Sequence, residues 1–396
     1  MDTIIIKILY TPGKFQITDL AKSWFLPELT KREYSDLSPT EKRSKQLYLR
    51  HFIFKPPHCD AYIPKIEILE TLTENRDGVR YILKAEFSVP KLLYRNSLQE
   101  ASDTDLEKVL SAFKTALGNV GIVIKSEVIA DARVSAVHFC KNVLLPQDMR
   151  MQEALTELKR VDISKAVDIT LKEEKNGGRW LHIFSGTIER VFYDKVADAM
   201  RPKVKRKDKG HIDHERAVIE RYGLQHREVF RYEYRIKKGQ TVMREINAAL
   251  GKEPKTFVAL KDIFAPDLCK KMVLKSWHGL TQRPENQLAL LGPKDDLALM
   301  SHIFAQAKQQ GGNGHSMNRA FTSYGVARAI NDHGTKEVRK VVSTGWNTDH
   351  TERLTHKIKV SAELTRGLPY SNTIAYLDHA FERFELINLD TLESGI

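Results

Sequence analysis

Two short segments, Glu189–Lys195 and Val229–Ile236, constrain the fold more than any other part of the chain. In a β-strand, successive side chains point to opposite faces. The second segment then sorts Phe230, Tyr232, Tyr234 and Ile236 to one side and Arg231, Glu233 and Arg235 to the other. The first places Glu189, Val191, Tyr193 and Lys195 together. An apolar, aromatic face is the expected core side. An Arg-Glu-Arg face beside a tyrosine and a lysine is a surface suited to a phosphate and a metal ion.

Further strands are expected over residues 1–10, ended by the turn Thr11-Pro12-Gly13, over Tyr81–Val89, ended by Pro90, and over Arg133–Cys140. Leu181–Phe184 and Ile188–Phe192 form a hairpin pattern around Ser185-Gly186-Thr187. Asp103–Leu117 reads as a helix with Ser102 or Asp103 as cap and an apolar stripe of Leu106, Val109, Leu110, Phe113 and Leu117. Residues 18–50 are charged and look peripheral. From about residue 241 the pattern turns helical, over Val242–Leu250, Ala259–Leu274, Asp296–Gln309, Arg319–Asn331 and Lys336–Val342. The fold class expected is α+β, with an antiparallel sheet in a domain over residues 1–245 and a mostly helical accessory domain over 246–396. Short helices with glycine-containing turns fit a DNA-contacting helix-turn-helix and fit a plain helical bundle equally.

Charge narrows the partner class. The chain carries 63 Lys+Arg against 51 Asp+Glu, a net +12, which favours a polyanion, nucleic acid before membrane surface. The stretch 201–210 includes Lys203, Lys205, Arg206 and Lys207 and is either a solvated loop or a grip on a DNA backbone. Cys59, Cys140 and Cys269 lie far apart with no CxxC pairing, which argues against a disulfide scaffold or zinc ribbon and suits a reducing cytoplasm. The early Asp2 and the short apolar run make the start a first strand rather than a signal peptide, and no transmembrane helix is expected.

The common catalytic signatures are absent: there is no GxxxxGK[ST] loop, HExxH or GxSxG. The candidates that remain sit on the expected strands. Tyr193 is a possible nucleophile toward a phosphodiester, with Lys195 to lower its pKa or to stabilise charge at phosphorus. Glu86, Glu233 and His138 are the candidate ligands for Mg²⁺ or Mn²⁺, which prefer oxygen with an occasional imidazole. Each has a plainer reading: a strand tyrosine that packs, a glutamate in a cross-strand ion pair, a histidine satisfied in the core. Tyr222, Phe230, Tyr232 and Tyr234 can stack on bases or belong to the core.

Four segments in order, Ala85–Leu98, Ala132–Asn142, Val191–Lys195 and Arg231–Ile236, resemble the gene II/X family of replication initiation proteins of filamentous phages and related plasmids. The resemblance covers residues 80–245 well and the C-terminal half loosely. It implies rolling-circle initiation: metal-dependent nicking of the plus strand at a double-stranded origin, a 5′-phosphotyrosyl intermediate, and rejoining of the displaced single-stranded circle. In this resemblance Tyr193 matches the nucleophile, Lys195 its lysine, Glu233 the acid of the Arg231-to-Arg235 strand, and Glu86 a further acid. Arg231, Arg235 and the basic stretch would contact DNA, with a host helicase and DNA polymerase as partners. One departure is evident. Some relatives carry an acid where this chain has Ser135, and strict alternation turns His138 away from Ser135 unless a bulge intervenes. A plasmid mobilisation relaxase and a non-catalytic DNA-binding repressor are the alternatives.

Overall fold

The computed structural model describes residues 1–9, 15–17, 24–25, 50–54, 62–72, 79–162, 168–173, 179–201, 214–292, 296–311, 314–345, 348–387 and 389. The turn at 11–13, most of 18–50, and Lys203, Lys205, Arg206 and Lys207 lie outside the described residues. The strands are β1 (Thr3–Leu9), β2 (Phe15–Ile17), β3 (Trp24–Phe25), β4 (Arg50–Phe54), β5 (Lys65–Leu72), β6 (Val79–Ser88), β7 (Ile122–Ile124), β8 (Arg133–Leu144), β9 (Asp168–Glu173), β10 (Arg179–Ser185), β11 (Ile188–Asp194) and β12 (Val229–Ile236). Ten form one antiparallel sheet in the order β3-β4-β5-β6-β1-β8-β12-β11-β10-β9, and β2 pairs with β7. Two four-stranded meanders are thus joined edge to edge through β1 and β8.

The α+β class expected from the sequence is the one observed. The helices of the first half are α1 (Val89–Tyr94), α2 (Leu106–Gly118), α3 (Ser126–Ala130), α4 (Met151–Lys159), α5 (Lys195–Met200) and α6 (Glu215–Arg221). After β12 follow α7 (Gly239–Leu250), α8 (Leu260–Ile263), α9 (Leu268–Thr281), α10 (Pro284–Ala289), α11 (Asp296–Gln309), α12 (Gly314–His333), α13 (Thr335–Gly345), α14 (Thr348–Leu364) and α15 (Asn372–Arg383). The expected helix over Ala259–Leu274 is two elements, because the chain turns through Asp267 in the left-handed region, φ 58°, before α9 begins. Pro90 ends β6 and opens α1, where its missing N–H costs no helical bond. Ser102 caps the turn before α2 by accepting from the Thr104 N–H, while Asp105 accepts from the Ser102 N–H.

One face of the sheet carries the core. Ile4, Ile6, Phe87, Phe139, Phe192, Phe230, Tyr232 and Ile236 are buried there with Phe113 of α2, Trp277 of α9 and Phe381 of α15. Phe192 stacks on Tyr232 at 4.7 Å, and Trp277 meets Phe381 edge-on at the same separation. Phe230, Tyr232 and Tyr234 are therefore core residues, whereas Tyr222 is half-buried. Because α9 and α15 pack into this same core, the expected boundary at 245/246 does not coincide with a break in the hydrophobic interior. A second core gathers Leu288, Ile303, Ala327, Ile330, Ile358 and Leu364 from α10, α11, α12 and α14. Among the described residues, no helix is long and apolar enough to cross a membrane.

Candidate functional site

The opposite face of the sheet is polar, and its register brings the candidate residues together. Tyr193 on β11 lies across from Arg231 on β12, Val191 from Glu233 and Glu189 from Arg235. On the other side of β12, Arg235 lies opposite His138 of β8 and Arg231 opposite Asn142. The alternation read from the sequence therefore holds for both segments as far as Asp194.

A bulge supplies the step that strict alternation could not. Along the β1/β8 ladder Lys7 pairs with Arg133, Ile6 with Val134, Ile5 with Ala136 and Ile4 with Val137, so Ser135 has no partner. The extra residue shifts the alternation by one. Arg133 and His138 consequently share a face although five residues separate them in sequence.

Glu233 is the centre of the cluster. It is 2% exposed. Its Oε1 accepts from the Tyr193 hydroxyl at 2.7 Å and from Arg231 Nε at 2.7 Å, and its Oε2 accepts from Arg235 Nε at 2.7 Å. Arg231, 1% exposed, also reaches Asp2 Oδ2 at 2.9 Å, the Ser97 carbonyl at 2.9 Å and Asn142 Oδ1 at 3.1 Å. Ser88 Oγ donates to Asp2 Oδ1 at 2.9 Å. Burial pushes the Glu233 carboxyl up, but the guanidiniums of Arg231 and Arg235 outweigh it and hold the pKa well below the usual range. Asp2 is likewise lowered, Arg231 outweighing its burial. Burial pushes the Tyr193 phenol well up, with Glu233 adding to the effect and Arg231 opposing it. Burial lowers the His138 imidazole, which favours the neutral form that binds metals.

Asp2, His138 and Glu233 each present a ligand atom, and these atoms lie within 4.8 Å of one another. Two carboxylates and a neutral imidazole are a donor set that fits Mn²⁺ or Mg²⁺. Asp2 is the residue that sequence reasoning missed. It precedes Thr3, the first ladder residue, so the strand alternation that sends Ile4 to the core does not fix its side chain. Glu86 lies on the polar face of β6, opposite Ile5 on β1 and Lys65 on β5, and the three-residue group does not include it.

Lys195 is not on the strand face with Tyr193. β11 ends at Asp194, whose Oδ1 accepts from the N–H groups of Val196 and Ala197 and so caps α5. Lys195 is the first residue of that helix and 4% exposed, with Nζ at 3.0 Å from Glu215 Oε1 on α6. Lys91 approaches the same oxygen at 3.6 Å, and Ser97 Oγ also bonds it. The capping aspartate followed by a helix-forming run was the signal in the sequence that the strand stops there. Burial raises the Glu215 carboxyl, but Lys195 and Lys91 together hold it well below the usual range.

A second buried network supports Arg231 from behind. Asn142 Nδ2 donates to the carbonyls of Ser97 and Leu98, its N–H donates to Glu100 Oε1 at 2.7 Å, and Lys141 Nζ binds Glu100 Oε2 at 2.5 Å. Beside the cluster, Glu189 joins Lys237, Arg235 at 3.8 Å and His182 at 3.4 Å.

No protein-family model and no curated protein matches this chain. Among solved structures, the di-domain ARO/CYC StfQ from the steffimycin biosynthetic pathway aligns with 59% of this chain and 70% of its own at 9% identity. The TM-score of 0.17 is too low for that alignment to carry an argument about fold or function.

Proposed function

We propose that this chain is a rolling-circle DNA replication initiator, a nickase and strand transferase that cuts the plus strand at an origin and rejoins the displaced single-stranded circle. The reading includes its gene II/X-type identity, its double- and single-stranded DNA substrates, a host helicase and polymerase as partners, and work in a bacterial cytoplasm. The observation that carries it is the 2.7 Å hydrogen bond from Tyr193 to Glu233, inside a cluster that also holds Asp2, His138, Arg231 and Arg235. A nucleophile, a carboxylate that orients it, cationic groups for a phosphate and a metal-type donor set stand at one point.

In this mechanism the Tyr193 hydroxyl, oriented by its hydrogen bond to Glu233, attacks the phosphorus and releases its proton to solvent. The bond to the 3′ oxygen breaks, that oxygen takes a proton from solvent, and the 5′ phosphate stays on the tyrosine. The phosphodiester energy is kept in the phosphotyrosyl bond, so the reverse attack by a 3′ hydroxyl needs no ATP. Arg235, about a quarter exposed, is placed to meet a non-bridging oxygen, while the buried Arg231 holds Glu233 and Asp2 in position. Asp2, His138 and Glu233 would hold Mg²⁺ or Mn²⁺, which when bound supplies Lewis-acid polarisation of the phosphate and favours the ionised phenol. Lys195, engaged by Glu215, positions α5 at the end of the nucleophile's strand.

The test is incubation with supercoiled origin DNA and Mn²⁺ or Mg²⁺, read as relaxation and a 5′-linked protein–DNA adduct. Tyr193→Phe should abolish the adduct and leave DNA binding nearly intact; an unchanged adduct in that variant sinks the nucleophile assignment. The second reading, a non-catalytic DNA-binding protein, draws on the engagement of both Glu233 oxygens by arginines, as in a structural ion network. It predicts tight binding with no adduct under any metal condition.

A further inference from the structure

The polar face carries a second feature, which the cluster around Tyr193 does not use. Lys7 on β1 lies directly opposite Lys84 on β6 and directly opposite Arg133 on β8. Three cations thus occupy one row across three adjacent strands. Like charges facing each other across strands destabilise a sheet, so the row costs the fold something and calls for an anion. Lys84 has Glu67 at 3.1 Å, but that carboxylate is shared with Lys65 at 2.8 Å. Arg133 is exposed, and its guanidinium meets Met243 Sδ at 3.8 Å. Lys7 has no carboxylate within ion-pair range among the described residues. Burial, then Lys84 and Arg133, push its ammonium pKa down. On this strip Lys7, Lys65, Lys84 and Arg133 stand against Glu67 and Glu86, four positive charges to two negative.

The bulge at Ser135 puts Arg133 on the face of His138, so the row and the cluster look out on the same side. Lys7 is five residues from Asp2, or about 17 Å at ~3.4 Å per residue. Adjacent strands lie ~4.8 Å apart, so a compact anion can bridge neighbouring cations of the row but reaches nothing beyond it. A linear polyanion meets the row and continues past Arg235 and the half-exposed Lys237 on the same face.

We propose that Lys7, Lys84 and Arg133 form a track for the phosphodiester backbone of a nucleic acid strand that leads to Tyr193. Its end point rests on the proposed nicking reaction; the binding itself does not. At a rise of ~3.4 Å per phosphate along one strand of a duplex, the 17 Å from row to cluster corresponds to about five phosphates. The row therefore grips the strand several nucleotides from the scissile position and sets its direction across the sheet.

The experiment uses full-length protein carrying Tyr193→Phe, with EDTA present so that no strand is cut. Fluorescence anisotropy of labelled oligothymidylate and of a labelled duplex is followed over a range of salt. Single-strand binding has a salt slope of about −0.7 per phosphate neutralised. Lys7→Gln/Lys84→Gln/Arg133→Gln should lower the slope by about 2 and the affinity about 100-fold at 0.1 M salt. The control removes three exposed cations elsewhere, Lys308→Gln/Lys336→Gln/Lys340→Gln. Equal slopes and affinities in the two triple variants overturn the track. Lys7→Gln/Arg133→Gln breaks no ion pair among the described residues, should melt no lower than its parent, and should still lose about 1.4 of slope. A larger loss on the single strand assigns the track to the displaced strand, and one on the duplex assigns it to origin DNA. Adduct formation by the protein with Tyr193 intact is read separately. No adduct with a changed slope sinks the chemistry and keeps the track; an adduct with an unchanged slope does the reverse.

Discussion

Arg231→Gln is the substitution whose cost the structure specifies most fully. Arg231 is 1% exposed and donates to Glu233, Asp2, the Ser97 carbonyl and Asn142 Oδ1. Removing it leaves two carboxylates, the buried Glu233 and the partly buried Asp2, with one guanidinium between them. Glu233 keeps Arg235 on Oε2, whereas Asp2 keeps the Ser88 hydroxyl. Breaking a buried ion pair from one side costs about 3–5 kcal/mol, and glutamine can donate to one of the two carbonyl oxygens that lose Arg231, worth about 1 kcal/mol. A net loss of about 2–4 kcal/mol is expected, a large fraction of the ~5–15 kcal/mol that holds a domain together. Urea unfolding followed by circular dichroism measures it. Arg231→Gln/Asp2→Asn removes the carboxylate left behind and should recover at least about 1 kcal/mol; this variant also keeps the measurement available if the single one is largely unfolded. A single variant within about 1 kcal/mol of wild type, or a double variant no better than the single, would refute the view that Arg231 holds these two carboxylates in place.

Burial raises the Asp194 carboxyl to about 6 from 3.8, with its backbone hydrogen bonds opposing the rise. A raised folded pKa means the stabilising contribution is complete below about pH 4 and is lost as pH rises to about 6. Asp194→Asn, which keeps the cap, should flatten that loss and be more stable than wild type above pH 6 by up to about 3 kcal/mol; equal pH profiles from thermal melts would count against it. Lys195→Met leaves Glu215 to Lys91 and Ser97, so it should cost about 3 kcal/mol of stability. Its nicking per folded molecule should fall far less than that of Tyr193→Phe, and an equal fall would put Lys195 back at the phosphorus. Glu233→Gln should reduce cleavage much more than DNA binding, and equal losses would favour a structural role.

Much of this arrangement was legible because β11 and β12 obey a period of two. Val229–Ile236 is read with its observed boundaries and faces, and the polar faces that carry Tyr193, Glu233 and the two arginines follow from that alternation, while their juxtaposition comes from the β11/β12 register. What alternation could not reach were its interruptions. The bulge at Ser135 decides that Arg133 shares a face with His138, and it arises from the pairing with β1, a strand more than a hundred residues earlier. Asp2 lies before its strand begins, and Lys195 lies after its strand has ended, so neither is governed by the pattern next to it. The helical half shows the same division. Asp296–Gln309 was read as observed from its own residues, but whether a helix joins the sheet's core or the second one depends on long-range packing. That is why α9 and α15 lie across the expected boundary.

The charge balance of the cluster carries a consequence for the proposed reaction. Asp2 and Glu233 contribute two negative charges, Arg231 and Arg235 two positive ones, and the lowered pKa of His138 favours its neutral form. The resting cluster is close to neutral. A divalent cation alone leaves it at about +2, and a phosphodiester alone leaves it at about −1, in a site of low dielectric where such imbalance is expensive. Cation and phosphate together bring it to about +1, with the opposite charges in contact. On the proposed function, metal and DNA therefore bind cooperatively, and the coupling must be reciprocal: whatever factor Mn²⁺ adds to DNA affinity, DNA adds to Mn²⁺ affinity. Tyr193→Phe permits both titrations without cleavage. Equal DNA affinity with and without Mn²⁺ would place the ion elsewhere and return Asp2, His138 and Glu233 to a purely structural role.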